Sequence, residues 1–319
     1  MEYTLDYLGS LADGHITSLS YPEVAANLYE PIKYTFATGG KRLRPALCLA
    51  AFSALSHKPP VEAINQAMAV EMFHNFTLLH DDVMDRADVR RGQPTVHVKW
   101  DLSSAILSGD TMLTMAYDLL AEGAGHHFEA LFRLFSRTAM EIYQGQQLDM
   151  EFEKRDDVST AEYMEMIRLK TSVLLGCACK LGAIMASAPA SAADSFYEYG
   201  LKLGLAFQMR DDWLDTFGDP KIFGKEIGGD IMCDKKTWLR TMAEAKAPEA
   251  LAAIAGADKA EKIARTTELY RQLGLDEECR AKAMHYADTA IEALANVKLD
   301  ADARRFFEDT ARKAATRQK

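Results

Sequence analysis

The sequence predicts an all-α fold, a bundle of long helices forming a single domain over residues 1–319. Three observations predict it. Strand-type alternation is nearly absent, and good helix formers (Ala, Leu, Met, Glu, Lys) dominate. The nine prolines, at 22, 31, 45, 59, 60, 94, 189, 220 and 248, leave 95–188 and 249–319 without a helix breaker.

Taken in order, helices are expected over 23–38 and 43–55. Val61, Ile64, Met68, Met72, Phe73, Phe76 and Leu79 then follow the three-and-four spacing of one broad apolar face, which runs straight into acidic residues. Helices over 102–121, 127–150 and 161–186 come next. Leu201, Leu205, Gln208 and Asp212 repeat the apolar-to-acidic pattern, followed by helices over 237–246, 258–273, 277–296 and 300–315. Two stretches read as unusual loops: 86–97, with "RRGQPT", and 217–236, "FGDPKIFGKEIGGDIMCDKK", with four glycines among lysines. No low-complexity linker and no 20–50-residue period divides the chain, so one domain is the simplest organisation.

With 48% hydrophobic residues the chain has material for a large core. A net charge of −10 and a pI near 5.4 exclude a general nucleic-acid binder, which needs a basic stripe. No apolar run approaches the ~18–20 residues that span a bilayer, and "MEYTLDYLGSLADGH" lacks a signal-peptide profile, so a cytoplasmic protein is expected. Five cysteines without paired spacing read as reduced thiols, Cys177 and Cys179 as packing residues.

The chemistry concentrates in "LLHDDVMD" and "FQMRDDWLD". Asp81, Asp82 and Asp85 share their spacing with Asp211, Asp212 and Asp215, each set at the C-terminal end of an apolar helix. Side chains four apart lie about 5–6 Å from one another on one face, so Asp81 and Asp85 repel unless a cation sits between them. The partial negative charge of a helix C-terminus makes this worse. Hard oxygen donors in this number suit Mg²⁺, which takes one or two protein carboxylates and completes its octahedron with water and phosphate oxygens. Zinc lacks a His or Cys set here, and the alternating ligands of a calcium loop are missing.

Basic residues supply the phosphate side: Lys41, Arg42 and Arg44 in "GGKRLRP", Arg90 and Arg91 after the first acid cluster, Lys225 and Lys235 after the second, and Lys170 with Thr171 in "RLKTS". His74 lies about two helical turns before Asp81 on the same face. A lone histidine there is usually a core residue, and His80 reads as structural.

"GGKRLRP", "HNFTLLHDDVMDRADVRRGQPTVH", "LKT", "FQMRDDWLD" and "GKEIGGDIMCDKKT", in this order over residues 39–237, resemble the motif set of the trans-isoprenyl diphosphate synthases. The resemblance implies an all-α fold around a deep cavity, about three Mg²⁺ ions per active site and a homodimer. It implies head-to-tail condensation of isopentenyl diphosphate with an allylic diphosphate. By motif, Asp81, Asp85 and Asp211 would hold Mg²⁺, with Asp82, Asp212 and Asp215 in close support and Asp215 a further candidate ligand. Arg90, Lys170, Lys225 and Lys235 would grip the allylic diphosphate. Lys41, Arg44, His74 and Arg91 would bind isopentenyl diphosphate, and Thr171 with Gln208 would turn oxygens towards the allylic carbon. Phe76 and Phe73, one to two turns before Asp81, would block the growing chain at 15 to 20 carbons.

Three rivals share parts of this pattern. A class I terpene cyclase would replace "DDWLD" with an Asn/Ser/Glu metal motif and has no use for "GGKRLRP". A longer-chain polyprenyl synthase would carry a small residue where Phe76 stands. A non-catalytic partner subunit would have lost aspartates from one cluster, and this chain keeps both.

Overall fold

The structure, a computed structural model, describes residues 3–219 and 227–318. By their contacts they divide into two units. The first comprises Met1–Ser136, Cys177–Phe196 and Lys298–Ala303; the second comprises Arg137–Gly176, Tyr197–Val297 and Arg304–Lys319.

The first unit contains α1 (Leu5–Ser18), α2 (Ala26–Ala37), α3 (Leu43–Ser56), α4 (Ile64–Met84), α5 (Val96–Lys99), α6 (Leu102–Ala121) and the start of α7 (Phe128–Phe152). Helix α1 was not expected from the sequence. Thr4 caps it by accepting the Tyr7 N–H at 3.1 Å, and Leu8 and Ala12 bury its inner face. Helix α3 is apolar all round and is buried from Pro45 to Ala54. Pro45 is tolerated because it sits in the first turn, where its missing N–H has no intrahelical partner to lose.

Helix α4 packs chiefly on α6 and buries Met68, Val70, Met72, Phe73, Phe76 and Leu79. Each such side chain contributes roughly 1.5–3 kcal/mol of hydrophobic stabilisation. Val61, assigned to the same face by spacing, is exposed instead. It belongs to the 3₁₀ turn Pro60–Ala63, whose tighter winding takes it out of the α-helical register.

The segment read as a loop at 86–97 holds a minimal hairpin, with Val89 opposite Pro94 and Arg90 opposite Gln93. Its two-residue turn is Arg91–Gly92, both at positive φ (53° and 74°), as a type I′ turn demands.

The second unit holds the rest of α7, α8 (Thr160–Ile167), part of α9 (Val173–Met185), most of α10 (Ala190–Phe217) and the later helices, including Ala301–Thr316. The single helix expected over 161–186 is interrupted. A capping box of Ser159 and Glu162 starts α8, and residues Arg168–Ser172 form a π-turn before α9 resumes. Two glycines make room for the wider turn. A Cβ on Gly145 of α7 would lie 2.3 Å from the Lys170 backbone nitrogen, and one on Gly204 of α10 would lie 2.6 Å from the Ser172 Cα. π-Turns cost hydrogen-bond quality and are found mostly where function needs them. Among the described residues, no helix is long and apolar enough to cross a membrane.

Candidate active site

In the first unit the acid cluster ends α4, with Asp85 as its C-cap residue. Asp82 is buried, and Arg90 reaches back from the hairpin to fork both of its oxygens at 2.8 and 2.9 Å. Burial pushes the Asp82 carboxyl up, and Arg90 opposes that shift. Arg90, expected on a diphosphate, is therefore already held on Asp82. Asp81 is partly buried and Asp85 exposed.

The hairpin also aims Arg91, whose guanidinium donates to the Gly39 carbonyl. That bond ties "RRGQP" to "GGKRLRP". Arg44 Nη1 stands 3.1 Å from His74 Nε2, and its enclosed Nε has no hydrogen-bond partner among the described residues. Burial pushes Arg44 down to about 10, still cationic at neutral pH. His74 is held well below its usual range by burial and by Arg44, Arg91, Arg90 and Arg42. The unit thus brings Arg44, His74 and Arg91 into one cationic cluster beside the glycine-turned loop that carries the exposed Lys41. Arg42, grouped with them by sequence, is 5% exposed and points into the core.

The His74 shift has a testable sign. A base whose folded pKa is depressed binds its proton more readily unfolded, so stability falls as pH drops through the unfolded value of about 6.5. We expect the melting temperature of His74→Gln to fall less than that of the wild type between pH 7 and pH 5.5. Parallel melting curves would remove His74 as the source of that acid sensitivity.

His80 proves a packing residue, its ring 4.8 Å from that of Phe76 and its Nε2 3.2 Å from the Ile106 carbonyl oxygen. Phe76 also meets Phe73 at 5.4 Å, and Phe73 meets Phe135 at 5.3 Å, which in turn meets Tyr117 at 5.3 Å. The sequence reading named the first two rings and missed the two behind them.

In the second unit Asp211, Asp212 and Asp215 lie in the last two turns of α10. Asp212 is buried and accepts from the Tyr163 hydroxyl (2.6 Å), the Trp238 N–H (3.1 Å) and Gln208 Nε2 (3.2 Å). Burial and the neighbouring Asp230 push it up to about 7 despite these donors. Asp215 accepts the Asp230 N–H at 2.9 Å, and Asp211 is paired with Arg317. Lys170, in the π-turn beside Thr171, donates to Asp149 at 2.6 Å.

Asp149 and Asp230 were missed by sequence reasoning. Asp230 is pushed up to about 6, by burial first and then by Asp215, Asp211 and Asp149, while Lys235 opposes the shift. Asp230 thus feels three other carboxylates, and among the described residues Lys170, Lys235 and Arg317 lie against members of this group. Lys225 lies outside the described residues. What the region can do chemically is accept further positive charge on hard oxygen donors, which fits a divalent cation of the Mg²⁺ type.

Residues 25–273 match the sequence model described as Polyprenyl synthetase. The chain is 41% identical to the geranylgeranyl diphosphate synthase of Saccharolobus solfataricus over 85% of its own length and 84% of that protein. It is 33% identical to the geranylfarnesyl diphosphate synthase of Natronomonas pharaonis over 89% and 88% of the two chains. A crystal structure of a geranylgeranyl pyrophosphate synthase superimposes with a TM-score of 0.93 at 40% identity, covering 100% of both chains. The family match runs from the start of α2, before the glycine-turned basic loop, to well past the second acid cluster, and the chain belongs to the polyprenyl synthetase family.

Proposed function

We propose that the protein is a prenyltransferase. It condenses isopentenyl diphosphate head to tail with dimethylallyl, geranyl or farnesyl diphosphate, releases diphosphate, and yields an all-trans prenyl diphosphate of 15 to 20 carbons. The observation that carries this reading is the placing of three aspartates at the end of α4 and three in the last turns of α10, the latter beside Asp230, whose N–H Asp215 accepts at 2.9 Å.

Asp81 and Asp85, and Asp211 and Asp215, are the metal-holding residues of this proposal, with about three Mg²⁺ ions per site implied by the family likeness. Among the described residues no three His, Cys, Asp or Glu side chains form a group that could hold a metal by itself. An ion that takes one or two carboxylates and draws its other ligands from water and phosphate needs no such group. When bound, Mg²⁺ supplies charge neutralisation for the leaving diphosphate.

The chain's own residues do the rest. Lys170 and Lys235 leave their carboxylate neighbours for phosphate oxygens, and family likeness makes Lys225 and Arg90 further candidates for binding phosphate. Lys41, Arg44, His74 and Arg91 hold the isopentenyl diphosphate. Thr171, displayed by the π-turn, and Gln208 turn oxygen dipoles towards the allylic carbon as its positive charge develops. The departing diphosphate accepts the proton, so no Ser/His/Asp or Cys/His set is required.

Product length follows from the rings of Phe76, Phe73, Phe135 and Tyr117. A prenyl tail growing down α4 meets Phe76 first; relatives named for geranylgeranyl diphosphate support a product of 20 carbons, and one is named for the longer geranylfarnesyl diphosphate. Phe76→Ala removes a ring from a packed site, and the elongating chain can fill the space. We expect its products to lengthen by one or more five-carbon units. Labelled isopentenyl diphosphate, each allylic starter and product sizing test both claims. No prenyl product from the wild type would overturn the function, and an unchanged distribution in Phe76→Ala and Phe73→Ala would overturn the ruler.

A homodimer is supported by exposed apolar side chains at helical spacing, Leu102 and Ile106 on α6 and Phe128 and Phe132 on α7. A cytoplasmic location is supported by the five cysteines, which without paired spacing read as reduced thiols.

A further inference from the structure

Arg42 belongs by sequence to the basic loop, yet its guanidinium turns away from it. Its Nε donates to Asp13 Oδ1 at 2.8 Å, its Nη1 to Glu71 Oε1 at 2.9 Å and its Nη2 to the Phe36 carbonyl at 3.2 Å. Arg42 and Glu71 are 5% and 4% exposed, and Asn75 Nδ2 holds the same Glu71 oxygen at 3.2 Å. The backbone of Arg42 is left-handed (φ 47°), a conformation that costs a side-chain-bearing residue about 1 kcal/mol or more and persists only where its surroundings enforce it. Gly39 and Gly40, at φ 81° and 159°, complete the turn that presents Lys41 and starts α3 with Arg44 in its first turn. Glu71 is also the carboxylate whose field reaches Arg44 and Arg91.

We propose that the ion triad Asp13–Arg42–Glu71 is the positioning device of the isopentenyl diphosphate pocket. Arg42 pins the loop in its strained turn, and Glu71 is the buried counter-charge that lets Arg44 and Arg91 stand together before the anion arrives. This rests on the assignment of that pocket above. A buried carboxylate deprived of its arginine seeks another cation. In Arg42→Gln, Glu71 draws Arg44 and Arg91 towards itself and the loop relaxes. The double variant Arg42→Gln/Glu71→Gln removes the carboxylate that would capture Arg44 and Arg91, at the cost of their counter-charge, and its loop is still unpinned.

The test is steady-state kinetics for both substrates, with calorimetric binding of inorganic diphosphate as a measurement independent of turnover. In both variants we expect the KM for isopentenyl diphosphate to rise by about tenfold, with kcat and the allylic KM within about twofold of wild type. Inorganic diphosphate should bind more weakly in parallel. Recovery of the wild-type KM in the double variant would show that Arg42 only neutralises Glu71, and would overturn the proposal. Equal losses for both substrates and in kcat would overturn it too, by showing general damage to the fold. A wild type that binds inorganic diphosphate but condenses nothing would instead refute the functional reading, and the binding arm would still decide whether the triad shapes the pocket.

Discussion

Asp81→Ala and Asp211→Ala are each expected to lower turnover by about a thousandfold or more, equivalent to about 4 kcal/mol at roughly 1.4 kcal/mol per decade. The reason is electrostatic. Ionising the allylic carbon–oxygen bond leaves a diphosphate with developing negative charge, and in the proposed function these carboxylates hold the cation that neutralises it. The fold should tolerate both changes. Asp81 lies at a helix C-terminus next to Asp82 and four residues from Asp85, so its removal relieves repulsion. Removing Asp211 leaves Arg317 without its partner but takes away one of the charges that push Asp230 up, and these effects oppose each other. Melting within a few degrees of wild type, combined with collapsed incorporation of labelled isopentenyl diphosphate, is the expected pair of results. Full activity in either variant would falsify the metal-holding role of that residue.

The largest effect on stability is expected from Gly145→Ala. The added methyl would lie 2.3 Å from Lys170 N, 2.7 Å from Lys170 Cα and 2.8 Å from Leu169 C. All three are backbone atoms, so no side chain can swing aside; α7 and the π-turn must separate. Overpacking of this kind costs roughly 2–4 kcal/mol, against the gain of up to about 1 kcal/mol that alanine usually brings to a helix. Separation also displaces Lys170 and Thr171, so kcat falls with stability. Gly14→Ala in α1 is the control: a Cβ there meets nothing within 4 Å, and the change should be neutral or stabilising. Urea unfolding of the two variants side by side decides the matter, and equal midpoints would show that α7 is not pressed on the π-turn.

The acid motifs were legible because DDxxD at a helix C-terminus is electrostatically unfavourable on its own, and one chain carries it twice. Helix periodicity was legible in α6, which buries one face, whereas α4 is buried all round from Gln66 to Phe73 and shows its apolar stripe only in its choice of large side chains. What escaped was set by contacts distant in sequence. The π-turn at 168–172 leaves no mark in side-chain spacing, since its room comes from Gly145 and Gly204 on other helices. Asp149 looks like any acid on an amphipathic helix until Lys170 is seen 2.6 Å away. Helix α1 carries Gly9 and Gly14, which weaken any reading by propensity; its hold on the fold includes the bond between Asp13 and Arg42. Arg42 itself was misread because three basic residues in one loop share a composition but not a direction.

Arg317 sits against the ring of Phe207 at 3.9 Å, its carbonyl takes the Arg210 Nε–H at 2.7 Å, and its guanidinium meets Asp211. Choosing where to attach an affinity tag is therefore a decision about the proposed metal site. A polyhistidine extension fused after Lys319 would begin three residues beyond a side chain that touches a proposed Mg²⁺ ligand, and would bring its own chelating imidazoles there. Purification and metal-affinity measurements should use an amino-terminal, cleavable handle.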